Sequence, residues 1–130
     1  MILVAEDNEV NQMVIEYTLL DAGYEFQIVE NGKLAVQQFQ SITPDLILMD
    51  ISMPEMNGLE ATAAIRELER DAGGHVTIIA LTAHALHGDR EKCIAAGMDD
   101  YMPKPISPQV LTERLAHWLS MTTSQATQSA

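Results

Sequence analysis

The chain has 130 residues, the size of one domain; two cores of normal size would not fit. Its 19 Asp and Glu against 7 Lys and Arg leave a formal charge of -12, so no excess of cations exists to replace the counterions of nucleic acid or to meet an anionic membrane surface. A hydrophobic share of 47% excludes disorder as the main state, and a lone cysteine, Cys93, excludes an intrachain disulfide and fits a reducing compartment.

The first apolar run, Ile2–Ala5, stops at Glu6-Asp7 and is too short for a signal-peptide core or a membrane span. A soluble, cytoplasmic protein with no direct nucleic-acid or membrane partner is expected. Further short runs follow at Glu25–Val29, Leu46–Met49 and Val76–Leu81, with a weaker one around Tyr101-Met102. Most are continuous rather than alternating, as in strands buried on both faces of a parallel sheet.

Between the runs the spacing is helical. Val10, Met13, Val14, Tyr17 and Leu20 form one stripe; Leu34, Ala35 and Phe39 form a second. Leu59, Ala63 and Arg66 share a face after Asn57-Gly58, and Leu111, Leu115, Trp118 and Leu119 make the last stripe. Gly23 and Gly73-Gly74 are placed to end helices, and Ser107-Pro108 reads as an N-cap followed by proline at the first helical position. Residues 121–130 carry no apolar stripe and read as a flexible tail or linker stub after a domain of residues 1–120. The whole is a five-fold strand–helix alternation, an α/β fold with a parallel sheet covered on both faces.

Parallel strands deliver the residues that follow them to one edge. That edge receives Glu6 and Asp7, Asp50, Thr82 and Lys104. Three carboxylates against one lysine leave roughly two negative charges, which suits a divalent cation. With oxygen ligands and no adjoining Cys or His, the cation expected is Mg²⁺ rather than Zn²⁺. A carboxylate beside a metal and a lysine can attack phosphorus to form an aspartyl phosphate, with Lys104 and the Thr82 hydroxyl meeting charge on the transferring oxygens.

The segments Ala5-Glu6-Asp7-Asn8, Leu48 to Gly58, Ile79 to Ala83, and Asp100-Tyr101-Met102-Pro103-Lys104-Pro105 together resemble the receiver domain of two-component response regulators. Glu6 to Gln12 further resembles receivers attached to hybrid histidine kinases. The resemblance implies a flavodoxin-like, doubly wound three-layer αβα fold with five parallel strands in the order 2-1-3-4-5. It implies that Asp50 accepts a phosphoryl group from a phosphohistidine on a histidine kinase or phosphotransfer protein. Glu6, Asp7, Asp50 and the backbone carbonyl of Ser52 would hold Mg²⁺, with Asp7 the more direct ligand of the acidic pair. Lys104, preceding a cis Pro105, would contact the phosphoryl oxygens. Thr82 and Tyr101 would be a switch pair, changing the surface around helix four, strand five and helix five. The role implied is a signalling receiver with slow self-dephosphorylation, not a turnover enzyme, acting on an output domain or kinase core in the same chain or on a separate protein.

Competing readings are an aspartyl-nucleophile phosphatase, which would want an acid where Ser52 stands; a flavin carrier, whose phosphate loop would not hold Glu6-Asp7-Asn8-Glu9; and a binding module that works without phosphorylation. Cys93 reads as a small apolar filler, Tyr101 equally as core packing, and His75, His84, His87 and His117 as surface histidines.

Overall fold

The structure, a computed structural model, describes the backbone of residues 1–53, 55–82 and 89–129, and side chains over 1–53, 55–82 and 90–120. Its elements run β1 Ile2–Ala5, α1 Glu9–Ala22, β2 Phe26–Val29, α2 Gly32–Ile42, β3 Leu46–Asp50, α3 Gly58–Ala72, β4 Thr77–Thr82, α4 Asp89–Ala96, β5 Asp100–Pro103 and α5 Pro108–Ser129. The strands form one parallel sheet in the order β2-β1-β3-β4-β5. Expected fold and strand order are thus those observed, down to the weak fifth strand.

Every residue of β1, β3 and β4 is buried, which explains their unbroken apolar runs. Successive side chains leave on opposite faces. Leu3, Ala5, Ile47, Met49, Ile78 and Ala80 pack with Ala35, Ala61 and Ile65 beneath α2 and α3. Ile2, Val4, Leu48, Ile79, Leu81 and Met102 pack with Ile15, Leu19, Leu111 and Leu115 beneath α1 and α5. Cys93 belongs to the first layer, as expected of a small apolar filler.

Helix starts follow their caps. Asn8 accepts from the amides of Val10 and Asn11, Asn31 from Leu34, and Asn57 joins Glu60 in a reciprocal capping box. Gly23 closes α1 in the left-handed region (φ 83°), and Ser107 accepts from the Val110 amide at 3.4 Å ahead of Pro108.

Three expectations about helix faces need correction. On α1 the covered residues are Ile15, Thr18 and Leu19, while Val10, Met13, Tyr17 and Leu20 are 62–74% exposed. Of that stripe, Val14 alone packs partly against the core. On α3, Ala63 is exposed and Ala61, Thr62, Ile65 and Glu69 turn inward; on α2, Leu34 faces out. In α1 apolar residues occur on both sides of the helix, so periodicity alone does not select the buried side. The stripe expected on α5 does face the core. The backbone of α5 continues through Ser129. Residues 121–129 contain no Gly or Pro to stop a helix.

The edge of the sheet opposite the acidic one is held by a partly buried ion network. Arg66 of α3 meets Glu69 at 2.6 Å and Asp99 at 2.9 Å, and donates to the carbonyls of Gly97 and Val76. Glu69 accepts from the Val76 amide, and Asp99 from the Ile78 amide and from exposed His75.

Candidate functional site: an acidic rim with one lysine

Strand register builds the site. Ala5 lies opposite Met49, so Glu6 emerges level with Asp50, the last residue of β3. Asp50 in turn lies opposite Leu81, which places Thr82 at the same edge. The Lys104 amide donates to the Thr82 carbonyl at 2.7 Å, bringing the lysine in from β5. Lys104-Pro105 is a cis peptide, as the resemblance implied.

The Lys104 ammonium stands 3.0 Å from Asp50 Oδ1 and 3.2 Å from Glu6 Oε1. The second contact has ion-pair range without hydrogen-bond alignment, since Glu6 Oε1, like Asp50 Oδ2, has no hydrogen-bond partner among the described residues. Asp50 Oδ1 also accepts from the Ser52 amide at 3.1 Å, and Glu6 Oε2 from the Asp7 amide at 3.0 Å. Glu6 and Asp50 are buried while Asp7 is exposed. Gln12 of α1 donates its side-chain amide to the Glu6 carbonyl and braces the turn after β1.

Burial pushes the Asp50 carboxyl up from 3.8 to about 6; Glu6 adds to the rise and Lys104 opposes it. Burial by itself would lower Lys104, but the hydrogen bond and charge of Asp50, reinforced by Glu6, hold it above 10.5. One ammonium therefore faces three carboxylates, two of them buried, each with one oxygen that accepts no hydrogen bond from the described residues. One ligand oxygen from each of Glu6, Asp7 and Asp50 lies within 4.8 Å of the others. Buried carboxylate oxygens without hydrogen bonds are costly, and a hard divalent cation satisfies them; the residues present fit such an ion.

The sequence-derived site residues Glu6, Asp7, Asp50, Thr82 and Lys104 thus share one rim. Tyr101 is half-buried, in register with Ala80, and packs against the α2–α3 core layer. Ser52 is exposed in the loop after β3. Pro54, Ala83, His84 and His87 lie outside the described residues.

Sequence reasoning missed a clamp on β5. Asp100 accepts from Arg114 (2.6 Å), Trp118 Nε1 (2.9 Å) and the Tyr101 amide (2.8 Å), while Arg114 also donates to the Tyr101 carbonyl. The amide and the carbonyl of Tyr101 are thereby both held. Burial pushes Asp100 up, but the bonds from Trp118, Arg114 and Tyr101 outweigh it and leave its carboxyl below 3.8. Periodicity carries no signal for such pairs; the one available hint is the spacing of Arg114 and Trp118, four apart on one helix face.

Residues 2–116 match the family described as response regulator receiver domain. The chain is 50% identical over 117 residues to hybrid signal transduction histidine kinase I of Dictyostelium discoideum, covering 86% of this chain and 7% of that protein. It spans between 6% and 13% of the length of such relatives. Its fold superposes with a TM-score of 0.83 at 45% identity on the receiver domain of a sensor histidine kinase from Pseudomonas aeruginosa, solved with magnesium coordinated in its active-site cleft; 92% of this chain and 96% of that one are covered. A TM-score of 0.90 at 30% identity relates it to the receiver domain of the Saccharomyces cerevisiae response regulator Ssk1 in complex with the histidine phosphotransfer protein Ypd1, over 93% of this chain and 89% of that one. No described helix is long and apolar enough to cross a membrane. With a family match over nearly its whole length and an acidic rim built by strand register, the chain belongs to the response regulator receiver domains of two-component signalling.

Proposed function

We propose that this receiver is switched by Mg²⁺-dependent transfer of a phosphoryl group from a phosphohistidine to Asp50. The observation that carries this is the state of Asp50: buried, bonded through Oδ1 to Lys104 and the Ser52 amide, with Oδ2 left unpartnered among the described residues. Oδ2 has lone pairs to offer phosphorus. In the step, a carboxylate oxygen of Asp50 bonds to phosphorus, the P–N bond of the phosphohistidine breaks, and imidazole leaves with the electron pair. Asp7, Asp50, Glu6 and the Ser52 carbonyl would hold the cation, with Glu6 mainly engaged by Lys104. Mg²⁺, when bound, neutralises charge on the phosphoryl oxygens. Lys104 releases part of its contact with Asp50 to meet the incoming oxygens, and the Thr82 hydroxyl supplies another donor. Tyr101 follows Thr82, altering the α4–β5–α5 surface that an output domain, kinase core or separate protein reads.

The donor must cover this rim to reach Asp50. α1 starts beside the rim at Asn8-Glu9 and presents Val10, Met13, Tyr17 and Leu20 outward. A helix apolar on both sides calls for cover on both sides. That face suits the helices of a histidine phosphotransfer protein or kinase.

Acetyl phosphate with Mg²⁺ tests the chemistry. Intact mass is expected to rise by about 80 Da, one phosphoryl group, with the gain abolished in Asp50→Asn and by chelation. A chain that stays unmodified with every competent donor sinks the proposal, and steady turnover of a small phosphate ester would favour a phosphatase instead.

A further inference from the structure

We propose that Gly32, the first residue of α2, is a positioning residue for the cation site, acting through Met56 on the segment after β3 that carries the Ser52 carbonyl. This rests on the metal reading above. The Gly32 amide donates to the Met56 carbonyl at 3.0 Å, tying α2 to the tip of that loop. A Cβ on Gly32 would stand 2.3 Å from the Met56 oxygen, 3.0 Å from its carbonyl carbon and 3.1 Å from Ala61 Cβ. Two of these three obstacles are backbone, which cannot swing aside as a side chain would. Gly32 is buried and has an ordinary helical backbone, so what requires glycine is close approach and not a special φ.

The same loop is closed at its base by a second glycine. The Gly58 amide donates to the Ile51 carbonyl at 3.0 Å, and a Cβ there would meet the Asp50 carbonyl oxygen at 2.2 Å. Between base and tip, Glu55 sits in the left-handed region at φ 65°, a conformation a non-glycine residue keeps only when its surroundings enforce it. Met56, the next residue, is the one Gly32 holds. Ile51, Met53 and Met56 also pack against the α2–α3 core layer. Described residues on either side of Ser52 are therefore held, Ile51 by Gly58 beside the acceptor and Met56 by Gly32 on a different helix.

A methyl group at residue 32 must displace the Met56 carbonyl by roughly 1 Å to restore ordinary separation. Residues that orient metal ligands commonly govern affinity by 10–100-fold. For Gly32→Ala, Mg²⁺ titration by calorimetry or amide chemical shifts is expected to show affinity lowered about tenfold. Gly23→Ala and Gly73→Ala serve as controls: both positions have positive φ (83° and 84°) and no atom within 4 Å of a built Cβ, so they strain the fold without touching the loop. They should lower the melting temperature and leave Mg²⁺ affinity unchanged. Folded Gly32→Ala with wild-type affinity overturns the proposal.

Hydrogen exchange on the wild type keeps the question open to refutation if Gly32→Ala fails to fold. Saturating Mg²⁺ should slow exchange of the Gly32 amide, because coupling between loop and ion is reciprocal. Slower exchange at Ser52 and Gly58 with no change at Gly32 refutes the tether. A wild-type chain that binds no Mg²⁺ removes the metal reading itself, and the role of Gly32 falls with it.

Discussion

Replacing Asp50 by Asn should stabilise this protein at neutral pH in the absence of Mg²⁺. The Asp50 carboxyl rises from 3.8 to about 6 on folding, and the residue is 1% exposed, so solvent screening does not discount the effect. A folded-state value above the unfolded one means that the folded state binds the proton more readily. Wild-type stability contributed by Asp50 is therefore lost as pH rises from 3.8 through about 6. Asn mimics the protonated form, retains an oxygen for the Ser52 amide, and carries no charge against Glu6. The attraction of Lys104 is already included in the net rise. The difference corresponds to about 3 kcal/mol at pH 7, or about 10 °C in melting temperature for a domain of this size. Thermal melts of both proteins in chelator, at pH values from 7 down to 4.5, supply the measurement. Asp50→Asn should melt higher at pH 7, and the gap should close on acidification. A variant melting at or below wild type at pH 7, or a gap independent of pH, would refute the account of the rim as electrostatically strained. Added Mg²⁺ should raise the melting temperature of wild type more than that of the variant.

Three further outcomes follow from other parts of the structure. Glu69→Ala should destabilise by roughly 3 kcal/mol, because it strips a buried partner from Arg66 and from the Val76 amide; denaturant unfolding reads this, and a loss below about 1 kcal/mol would contradict the network. Asp100→Asn should cost about 1–2 kcal/mol at pH 7. Since the Asp100 carboxyl titrates below its unfolded value of 3.8, its contribution is present above that pH and lost as pH falls further, so the two proteins should converge in acid, with Trp118 emission marking release of the clamp. Tyr17→Ser with Leu20→Ser, both on the exposed face of α1, should leave the melting temperature within a few degrees of wild type and slow phosphoryl transfer from a phosphotransfer protein while sparing acetyl phosphate. Equal slowing with both donors would argue against docking on α1.

Much of this architecture is written in local chemistry. The runs Ile2–Ala5, Leu46–Met49 and Val76–Leu81 read as doubly buried strands, and β1, β3 and β4 are buried throughout because side chains on either face meet a helix layer. Helix starts at Asn57 and Ser107 and the stop at Gly23 are equally local, since a side-chain acceptor or a left-handed glycine acts within one turn. Placement of Glu6, Asp7, Asp50, Thr82 and Lys104 on one rim follows from parallel topology, in which all strand ends face the same way.

What escaped the chain alone depends on which surfaces meet. α1 carries apolar residues on both sides, and only docking against the sheet and α5 covers Ile15 and Leu19 while leaving Met13 and Tyr17 outside. The Asp100–Arg114–Trp118 clamp joins a strand to a helix, and the Gly32–Met56 bond joins a helix to a loop 24 residues further on; each pairing exists only once the layers have assembled. The raised pKa of Asp50 belongs to the same class, because desolvation and the approach of Glu6 and Lys104 are properties of the assembled rim and not of any segment in isolation.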